Sequence, residues 1–298
     1  MTNGRTFPAH WRAALMSMVL PGFGQLANGR PNRAIWLFLG FALVSVPLMS
    51  WIAIRLPQGW TLPALVASLA AAIAIWLASV IDAWRDARRQ PDRPHLPWQT
   101  GGAYLLVFLI CNGLMLPALV SHVREHYVAS WRIPSASMAP AILRGDVLFA
   151  DMSYNCPGCA RAVARGDVGI FTYPNDRTLV YIKRVVGLPG DQVRIAGRQV
   201  WVNQVPLAEA PAGAGTVTER IDGHRWLVEW DDAEGAELAV TVPPGSVFVL
   251  GDNRGQSKDS RHFGTVPLSD VVGRARQVWF SKDPGGSVRW SRVGHAIE

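Results

Sequence analysis

The sequence predicts transmembrane α-helices in its N-terminal part and a mainly-β domain in the rest. Three observations predict this: long uncharged runs, an uneven distribution of arginine, and short runs of alternating apolar residues. Of the 298 residues, 49% are hydrophobic and only 17% are charged. A composition with so few charges favours a membrane protein over a soluble enzyme.

Three uncharged stretches are long enough to cross a bilayer, which takes about 20 apolar residues. They lie at 34–54, within 56–81 and at about 103–120. Tryptophans near their ends are typical of membrane interfaces. These tryptophans are Trp36, Trp51, Trp60, Trp84 and Trp98.

An earlier apolar run at 13–29 is shorter and is interrupted by Pro21, Gly22 and Gly24. We interpret it as an interfacial or re-entrant hairpin and prefer this to a fourth span. The expected organisation is therefore a cytoplasmic N-terminus with this hairpin over 1–33, followed by three helices over 34–121. A cytoplasmic loop at 82–102 would connect the second helix to the third.

The arginines orient these helices. The N-terminus and the 82–102 loop hold eight arginines, against only Arg55 on the opposite side of the first span. Because short cytoplasmic loops carry the excess of positive charge, both segments are expected in the cytoplasm. Everything after residue 121 is then expected outside, which in a bacterium is the periplasm or the outer membrane face. We expect permanent anchors in the inner (cytoplasmic) membrane, without a cleavable signal peptide.

The positive charge belongs to the hydrophobic part of the chain. Before residue 122 there are nine arginines and three acidic residues, and after it 20 basic and 19 acidic residues. The net charge of +7 therefore forms no basic stripe on the second half. This distribution argues against nucleic-acid binding.

Residues 122–298 are predicted to form short β-strands. Runs such as "TLVYIKRVVG" and "SVFVLGD" alternate in polarity and are separated by Gly, Pro, Asn and Asp, a pattern typical of β-rich domains. The more polar stretch at about 191–250 is expected to form a small accessory region.

Cys156 and Cys159 form a "CPGC" sequence. Two cysteines supply half of the ligands of a structural zinc site, and no βαβ pattern indicates a redox enzyme. A local disulfide is the preferred interpretation if this segment faces an oxidising compartment. We expect neither a metal nor a cofactor.

The stretch "IPSASMAPAIL" at 133–143 holds two serines but no histidine that could activate them. A histidine elsewhere, such as His262, could serve as the base, since triads occur in several chain orders. Lysine is the alternative: the chain has three lysines and 26 arginines. Lys183 shares a strand face with apolar side chains, where burial would lower its pKa and let the amine accept a proton. It could equally be an edge residue that reaches solvent.

A third polar stretch, "GDNRGQSKDSRHFG" at 251–264, directly follows a predicted strand. It is compatible with a turn capped by Asp, Asn and Ser. It could also supply the groups that orient a nearby base.

Taken in order, "IPSASMAP", "RGDVGIF", "YIKRVVGLPGD" and "GDNRGQSKDSRHFG" resemble the successive conserved boxes of type I signal peptidases, the membrane-bound Ser/Lys leader peptidases. The resemblance covers roughly residues 130–280. It implies N-terminal transmembrane helices followed by a signal-peptidase-like periplasmic catalytic domain at 122–298. The implied activity is serine endopeptidase cleavage of signal peptides after small-residue, A-x-A-like sites.

Box by box, the resemblance makes Ser137 the nucleophile and Lys183 its general base. It makes Ser135 the side-chain donor of the oxyanion hole, beside the backbone N–H of Ser137, and Ser257 the residue that orients the lysine. The other implied residues are the structural supports Asp252, Arg254, Asp259 and Arg261, and the substrate-pocket residues Ile133, Pro134 and Ile182.

The implied partners are preproteins with signal peptides, the lipid bilayer and the secretion translocon. Two alternatives remain open at this point. One is a specialised relative that processes a single dedicated exported substrate, with which three predicted spans are compatible. The other is a non-catalytic, membrane-tethered β-rich binding module.

Overall fold

A computed structural model of the chain describes residues 8–56, 60–90, 94, 96–155, 159, 162–213, 215–230 and 237–297. The chain divides into two compact units, Met1–Arg124 and Glu125–Glu298. Each unit is described by itself below.

The first unit is helical. Among its described residues, two short helices are followed by three long ones, two of which contain a π-helical turn. The helices are α1 (Ala9–Val19), α2 (Phe23–Ala27), α3 (Pro31–Leu43), a π-helical turn (Val44–Leu48), α4 (Met49–Arg55), α5 (Thr61–Arg89), α6 (Gly101–Phe108), a second π-helical turn (Leu109–Met115) and α7 (Leu116–His126).

Three continuous helices, Pro31–Arg55, Thr61–Arg89 and Gly101–His126, are long and apolar enough to cross a membrane. The prediction of three apolar helices near the N-terminus is therefore confirmed. Helix α5 continues eight residues into the expected loop at 82–102. It does so because Ala83 lies fully buried against α1, which makes this part of the sequence one face of a packed helix.

The 13–29 run forms α1 and α2, which pack against α3 and α5. Its glycines allow this close packing. A Cβ on Gly24 would lie 2.1 Å from the backbone oxygen of Ala13, and one on Gly22 would lie 2.3 Å from that of Ala34. Gly22 also has a left-handed φ of 90°, which favours glycine.

A buried polar network joins this hairpin to α5. The Ser17 hydroxyl donates to Oε1 of Gln25 at 3.1 Å, and the Gln25 amide donates to the backbone oxygen of Ser79 at 2.8 Å. The hydroxyl of Ser79 accepts the backbone N–H of Gly22 at 2.8 Å. Whether the hairpin is interfacial or re-entrant stays a prediction.

The second unit is mainly β, as predicted. Among its described residues, all strand pairings within the sheets are antiparallel. The strands are β1 (Val128–Arg132), β2 (Asp146–Asp151), β3 (Val168–Thr172), β4 (Val180–Gly187), β5 (Gln192–Ala196), β6 (Gln199–Val202), β7 (Val205–Pro206), β8 (Ala208–Gly213), β9 (Thr216–Ile221), β10 (His224–Glu229), β11 (Leu238–Thr241), β12 (Ser246–Leu250), β13 (Val266–Pro267) and β14 (Val271–Ser281).

These strands form three sheets in the described part of the unit. The seven-stranded sheet has the order β1-β2-β14-β3-β4-β12-β13, and the smaller sheets have the orders β11-β5-β6-β7 and β10-β9-β8. The smaller sheets take their strands from residues 192–241, within the stretch expected to be an accessory region. A short helix, α8 (Ser260–Phe263), lies between β12 and β13.

Strands β4 and β12 are buried on both faces. The neighbours Val185 and Val186 are both fully buried, but they belong to different apolar clusters. On β12, Val249 packs in the first of those clusters and Leu250 in the second. From Lys183 to Gly187, a side chain on β4 is therefore surrounded by protein whichever face it occupies.

The close packing at Gly24 is testable. We expect Gly24→Ala to lower the free energy of unfolding of the helical unit by about 1–3 kcal/mol, because its methyl group would meet backbone that cannot move aside. Gly40→Ala is the control, since nothing lies within 4 Å of its Cβ position, and alanine favours helix there by up to ~1 kcal/mol. Thermal unfolding in detergent measures both. Equal melting temperatures for the two variants would contradict the packing.

Candidate active site

Ser137 lies in the turn that follows β1. The next two residues, Met138 and Ala139, are 2% and 8% exposed and anchor the turn in the core. The backbone N–H of Asn253 donates to the carbonyl of Ser137 at 3.2 Å. The turn is thus held by apolar packing and by the polar segment after β12, while the Ser137 hydroxyl stays accessible.

Lys183 reaches this hydroxyl from β4. Its Nζ lies 2.8 Å from Oγ of Ser137 and also donates to the backbone oxygen of Ile182 at 3.0 Å. The Lys183 residue is only 5% exposed. The two residues are 46 positions apart in the sequence, and the sheet brings them into hydrogen-bond contact.

Burial lowers the pKa of Lys183 to about 8, although the negative charges of Asp259 and Asp252 act in the opposite direction. An exposed lysine has a pKa of about 10.4. The lowered pKa leaves a substantial fraction of the amine uncharged at mildly alkaline pH. An uncharged amine beside a serine hydroxyl can accept its proton.

An open groove of about 350 Å³ contains both groups. Ser135 also lines it, with its Oγ 3.3 Å from Oγ of Ser137. The structure therefore brings the sequence-predicted site residues of the first box and of β4 to one place. The predicted pocket residues that line the groove with them are Ile133, Pro134 and Ile182.

Ser257 and the carbonyl of Ser137 both lie close to Gly251. A Cβ at Gly251 would lie 2.1 Å from Oγ of Ser257 and 2.5 Å from the carbonyl oxygen of Ser137, so only glycine fits between them. Ser257 is buried, and its hydroxyl has no hydrogen-bond partner of normal geometry among the described residues. It nevertheless lies close enough to Asp259 to help lower the pKa of that carboxyl. A direct bond from Ser257 to Lys183 is not formed.

Asp259 and Arg261 form the ion pair that the resemblance implied. The guanidinium donates to both carboxylate oxygens, at 2.8 and 2.9 Å. Burial acts to raise the pKa of Asp259, but this pair and the N–H of Gly251 outweigh burial and hold that pKa below its ordinary value. The charged carboxylate therefore ties α8 to the strand end beside Ser137.

Asp252 and Arg254 do not pair with each other. The Arg184 guanidinium donates to both oxygens of Asp252, at 2.8 and 2.7 Å, and to the carbonyl of Gly166 at 2.7 Å. Arg254 donates to Glu219 at 2.5 Å. The side chains of both pairs are at most 2% exposed.

Sequence reasoning missed both partners of these pairs. The sequence does hold a sign of Arg184. It directly follows Lys183 in an apolar strand, so its charged side chain is expected on the opposite face of that strand, among apolar side chains. The sequence holds no such sign of Glu219, since it lies in a polar strand of the accessory region.

A second missed anchor joins the C-terminal segment to the turn that holds Ser137. The Arg292 guanidinium donates to Asp146 at 2.7 Å and to the carbonyl of Ala141 at 2.8 Å. Asp146 is fully buried and also accepts the backbone N–H of Leu143 at 2.8 Å. Ile297 packs in the same apolar cluster as Met138. The C-terminal segment thus holds the turn that contains Ser137 through an ion pair, a hydrogen bond and apolar packing.

The remaining sequence candidates lie elsewhere. His262 caps α8 through the backbone N–H of Asp259, at 3.4 Å, and within the described residues it forms no hydrogen bond with either serine of the turn. Cys156 lies outside the described residues, so its pairing with Cys159 stays a prediction. Among the residues that the structure describes, no group of three His, Cys, Asp or Glu side chains could hold a metal ion.

Comparison with known proteins identifies the family. The family model described as "Signal peptidase, peptidase S26" matches residues 105–280. The chain belongs to this family and is a serine endopeptidase of the signal peptidase I type. The resemblance stated above is therefore confirmed, and the alternative of a non-catalytic binding module is not supported.

Two relatives and one solved structure illustrate the similarity. Signal peptidase I of Rickettsia akari is 29% identical over 58% of this chain and 77% of its own length. Signal peptidase I of Pseudomonas aeruginosa is 35% identical over 59% and 74%. The crystal structure of a signal peptidase I from Enterococcus faecalis is 31% identical and covers 38% of this chain and 95% of its own, with a TM-score of 0.27. That score is too low to support a structural argument.

The C-terminal anchor predicts a large loss of stability. Arg292→Ala leaves the buried Asp146 carboxylate without its cation, so we expect a loss of about 3 kcal/mol in the free energy of unfolding. Arg144→Ala removes an exposed arginine from the same turn, and we expect it to change this value by less than about 0.5 kcal/mol. Denaturant unfolding of both variants measures the difference. An equal effect would show that the Asp146–Arg292 pair does not support the turn.

Proposed function

We propose that this protein removes signal peptides from exported preproteins with a Ser137–Lys183 dyad. The observation that carries the proposal is the 2.8 Å contact between Nζ of a buried, low-pKa lysine and the hydroxyl of a half-buried serine that lines the groove. Family membership supports the reaction class, and the groove that holds both groups supports the use of an extended peptide as substrate.

The reaction follows from this contact. Uncharged Lys183 takes the hydroxyl proton of Ser137 as the serine oxygen attacks the scissile carbonyl. The ammonium of Lys183 then returns that proton to the amine of the departing mature chain, which leaves an acyl-enzyme on Ser137. The lysine, neutral again, takes a proton from water as the water oxygen attacks the acyl carbonyl. The ammonium of Lys183 then gives this proton to the departing serine oxygen, which releases the signal peptide and restores Ser137 and the neutral lysine.

Two donors are placed for the charge that develops on the carbonyl oxygen. We assign the hydroxyl of Ser135 and the backbone N–H of Ser137 to this oxyanion hole. Preorganised donors of this kind are typically worth about 3–4 kcal/mol each. We also assign Ser257 to orient the lysine: its buried hydroxyl has no hydrogen-bond partner of normal geometry among the described residues, so it could accept a bond from the amine of Lys183 during the reaction.

The groove also indicates the cleavage site. Ile133, Pro134 and Ile182 line it, and we propose that they form the shallow pockets that accept small residues at P1 and P3. The substrates would therefore be preproteins that end their signal peptides in A-x-A-like sequences.

We further propose that the three apolar helices anchor the enzyme in the bacterial inner membrane. The eight arginines on one side of the expected spans support a cytoplasmic N-terminus and a catalytic domain on the periplasmic side. Tethering would raise the effective concentration of substrates held in the same bilayer. Proximity to the secretion translocon would follow from this placement.

Substitution of the dyad tests the function. Ser137→Ala removes the nucleophile and should reduce cleavage of a preprotein in detergent to background. Lys183→Arg keeps the positive charge but removes the base, and the expected loss is about 10²–10⁴-fold in kcat. The matched control is Lys282→Arg, on an exposed lysine outside the groove. Full cleavage by either dyad variant would overturn the proposal.

The lowered pKa of Lys183 predicts the pH profile. Only the uncharged amine accepts the serine proton, so kcat/KM should fall about tenfold per pH unit below pH 8 and level off above it. Initial rates with a synthetic peptide between pH 6 and pH 10 measure this dependence. A midpoint near that of an ordinary exposed lysine, at about 10.4, would mean that burial does not tune the base.

A further inference from the structure

The walls of the catalytic groove carry one sign of charge. Besides Lys183, the groove is lined by two cations, Arg132 and Lys258. Both side chains lie on residues that are exposed to solvent. None of the described groove-lining residues is a carboxylate. The second unit as a whole is nearly neutral, so this excess is local to the groove.

The acidic residues behind the groove do not cancel these charges. Asp252 and Asp259 are both fully buried. Arg184 neutralises the first and Arg261 neutralises the second. Neither Arg132 nor Lys258 forms an ion pair with any residue in the described part of the chain. Their charges are therefore free to act on whatever enters the groove.

Lys258 is held at its position by aromatic rings. Its Nζ lies 5.4 Å from the centre of the Tyr173 ring. Tyr173 stacks on Tyr181 with 4.5 Å between ring centres, and Tyr181 itself lines the groove. A hydrogen bond with the Tyr173 hydroxyl raises the pKa of Lys258, so this amine keeps its charge at the pH where Lys183 loses its own.

Arg132 reaches the groove from a different part of the fold than Lys258 does. It is the last residue of β1 and directly precedes Ile133, one of the proposed pocket residues. Lys258 follows Ser257, which lies close to Gly251 as the carbonyl of Ser137 does. The end of β1 and the segment between β12 and α8 thus each place a cation at the groove.

We infer that the groove selects preprotein segments that carry an acidic side chain next to the small residues of the cleavage site. The inference rests on the proposed function, which places small residues at P1 and P3. Positions P2, P1′ and P2′ are then free to face the groove walls, where an acidic side chain gains attraction and a basic one meets repulsion.

A matched peptide series tests this inference. The peptides differ only at P2, P1′ or P2′, which holds Glu, Gln or Lys in turn. At low salt, we expect kcat/KM to be about two- to fivefold higher for Glu than for Gln at a position that faces one cation, the range expected for exposed charge pairs, and lower again for Lys. The preference should shrink in 1 M salt, where the Debye length is about 3 Å.

Charge reversal identifies the responsible residue. Lys258→Glu should invert the order of the Glu and Lys peptides at the position that Lys258 faces, and Arg132→Glu should do so at its own position. Lys282→Glu makes the same change in net charge on an exposed lysine outside the groove, and it should leave the order intact. The ratio between peptides is the readout, so a general loss of activity in a variant does not obscure it.

The outcomes separate the inference from the proposed function. Cleavage of every peptide at one rate at low salt would overturn the charge selection and leave the peptidase function standing. Inversion by Lys282→Glu would overturn it as well, since net charge would then be the cause. Failure of the wild-type enzyme to cleave any peptide or preprotein would instead count against the proposed function itself.

Discussion

The chemistry that we propose for this protein depends on the burial of a single amine. Lys183 can act as a base near pH 8 only because the sheet removes it from water. Negative charges nearby would reverse that effect, and two carboxylates do lie close. Their pairing with Arg184 and Arg261 limits the field at the amine, so these buried ion pairs serve the lysine as well as the fold. Buried ion pairs seldom add net stability by themselves. The burial of these two pairs is therefore better explained by their effect on Lys183 than by a gain in stability.

Much of this arrangement was predictable from local sequence. Uncharged runs of about 20 residues predict a helix that is long enough to span a bilayer. The rarity of lysine made Lys183 a candidate base, and the resemblance of the four boxes then assigned it. The residues that escaped prediction act over long distances in the chain. Arg292 reaches Asp146 across 146 positions, and Glu219 reaches Arg254 across 35. Nothing in the local pattern of either residue specifies such a partner, since only the folded sheet brings them together.

The glycines of the helical hairpin illustrate the same limit. Pro21, Gly22 and Gly24 predicted an interruption, which the structure has. Gly22 and Gly24 also lie too close to neighbouring backbone for any Cβ. This closeness depends on Ala34 and Ala13, which lie in other helices. Gly251 in the second unit resembles the glycines of this hairpin in one respect. In both places the absence of a Cβ lets a backbone carbonyl oxygen, of Ala13 or of Ser137, lie directly against the glycine.

The two lysines of the groove show how one residue type takes two roles. Nζ of Lys183 lies 5.4 Å from the ring centre of Tyr181, and Nζ of Lys258 lies 5.4 Å from that of Tyr173, the ring stacked on it. Burial lowers the pKa of the first amine, and a hydrogen bond raises the pKa of the second. Environments that push two like groups apart are how acid–base sites assign roles. The two amines therefore differ in charge near pH 8: part of Lys183 is uncharged, whereas Lys258 stays protonated.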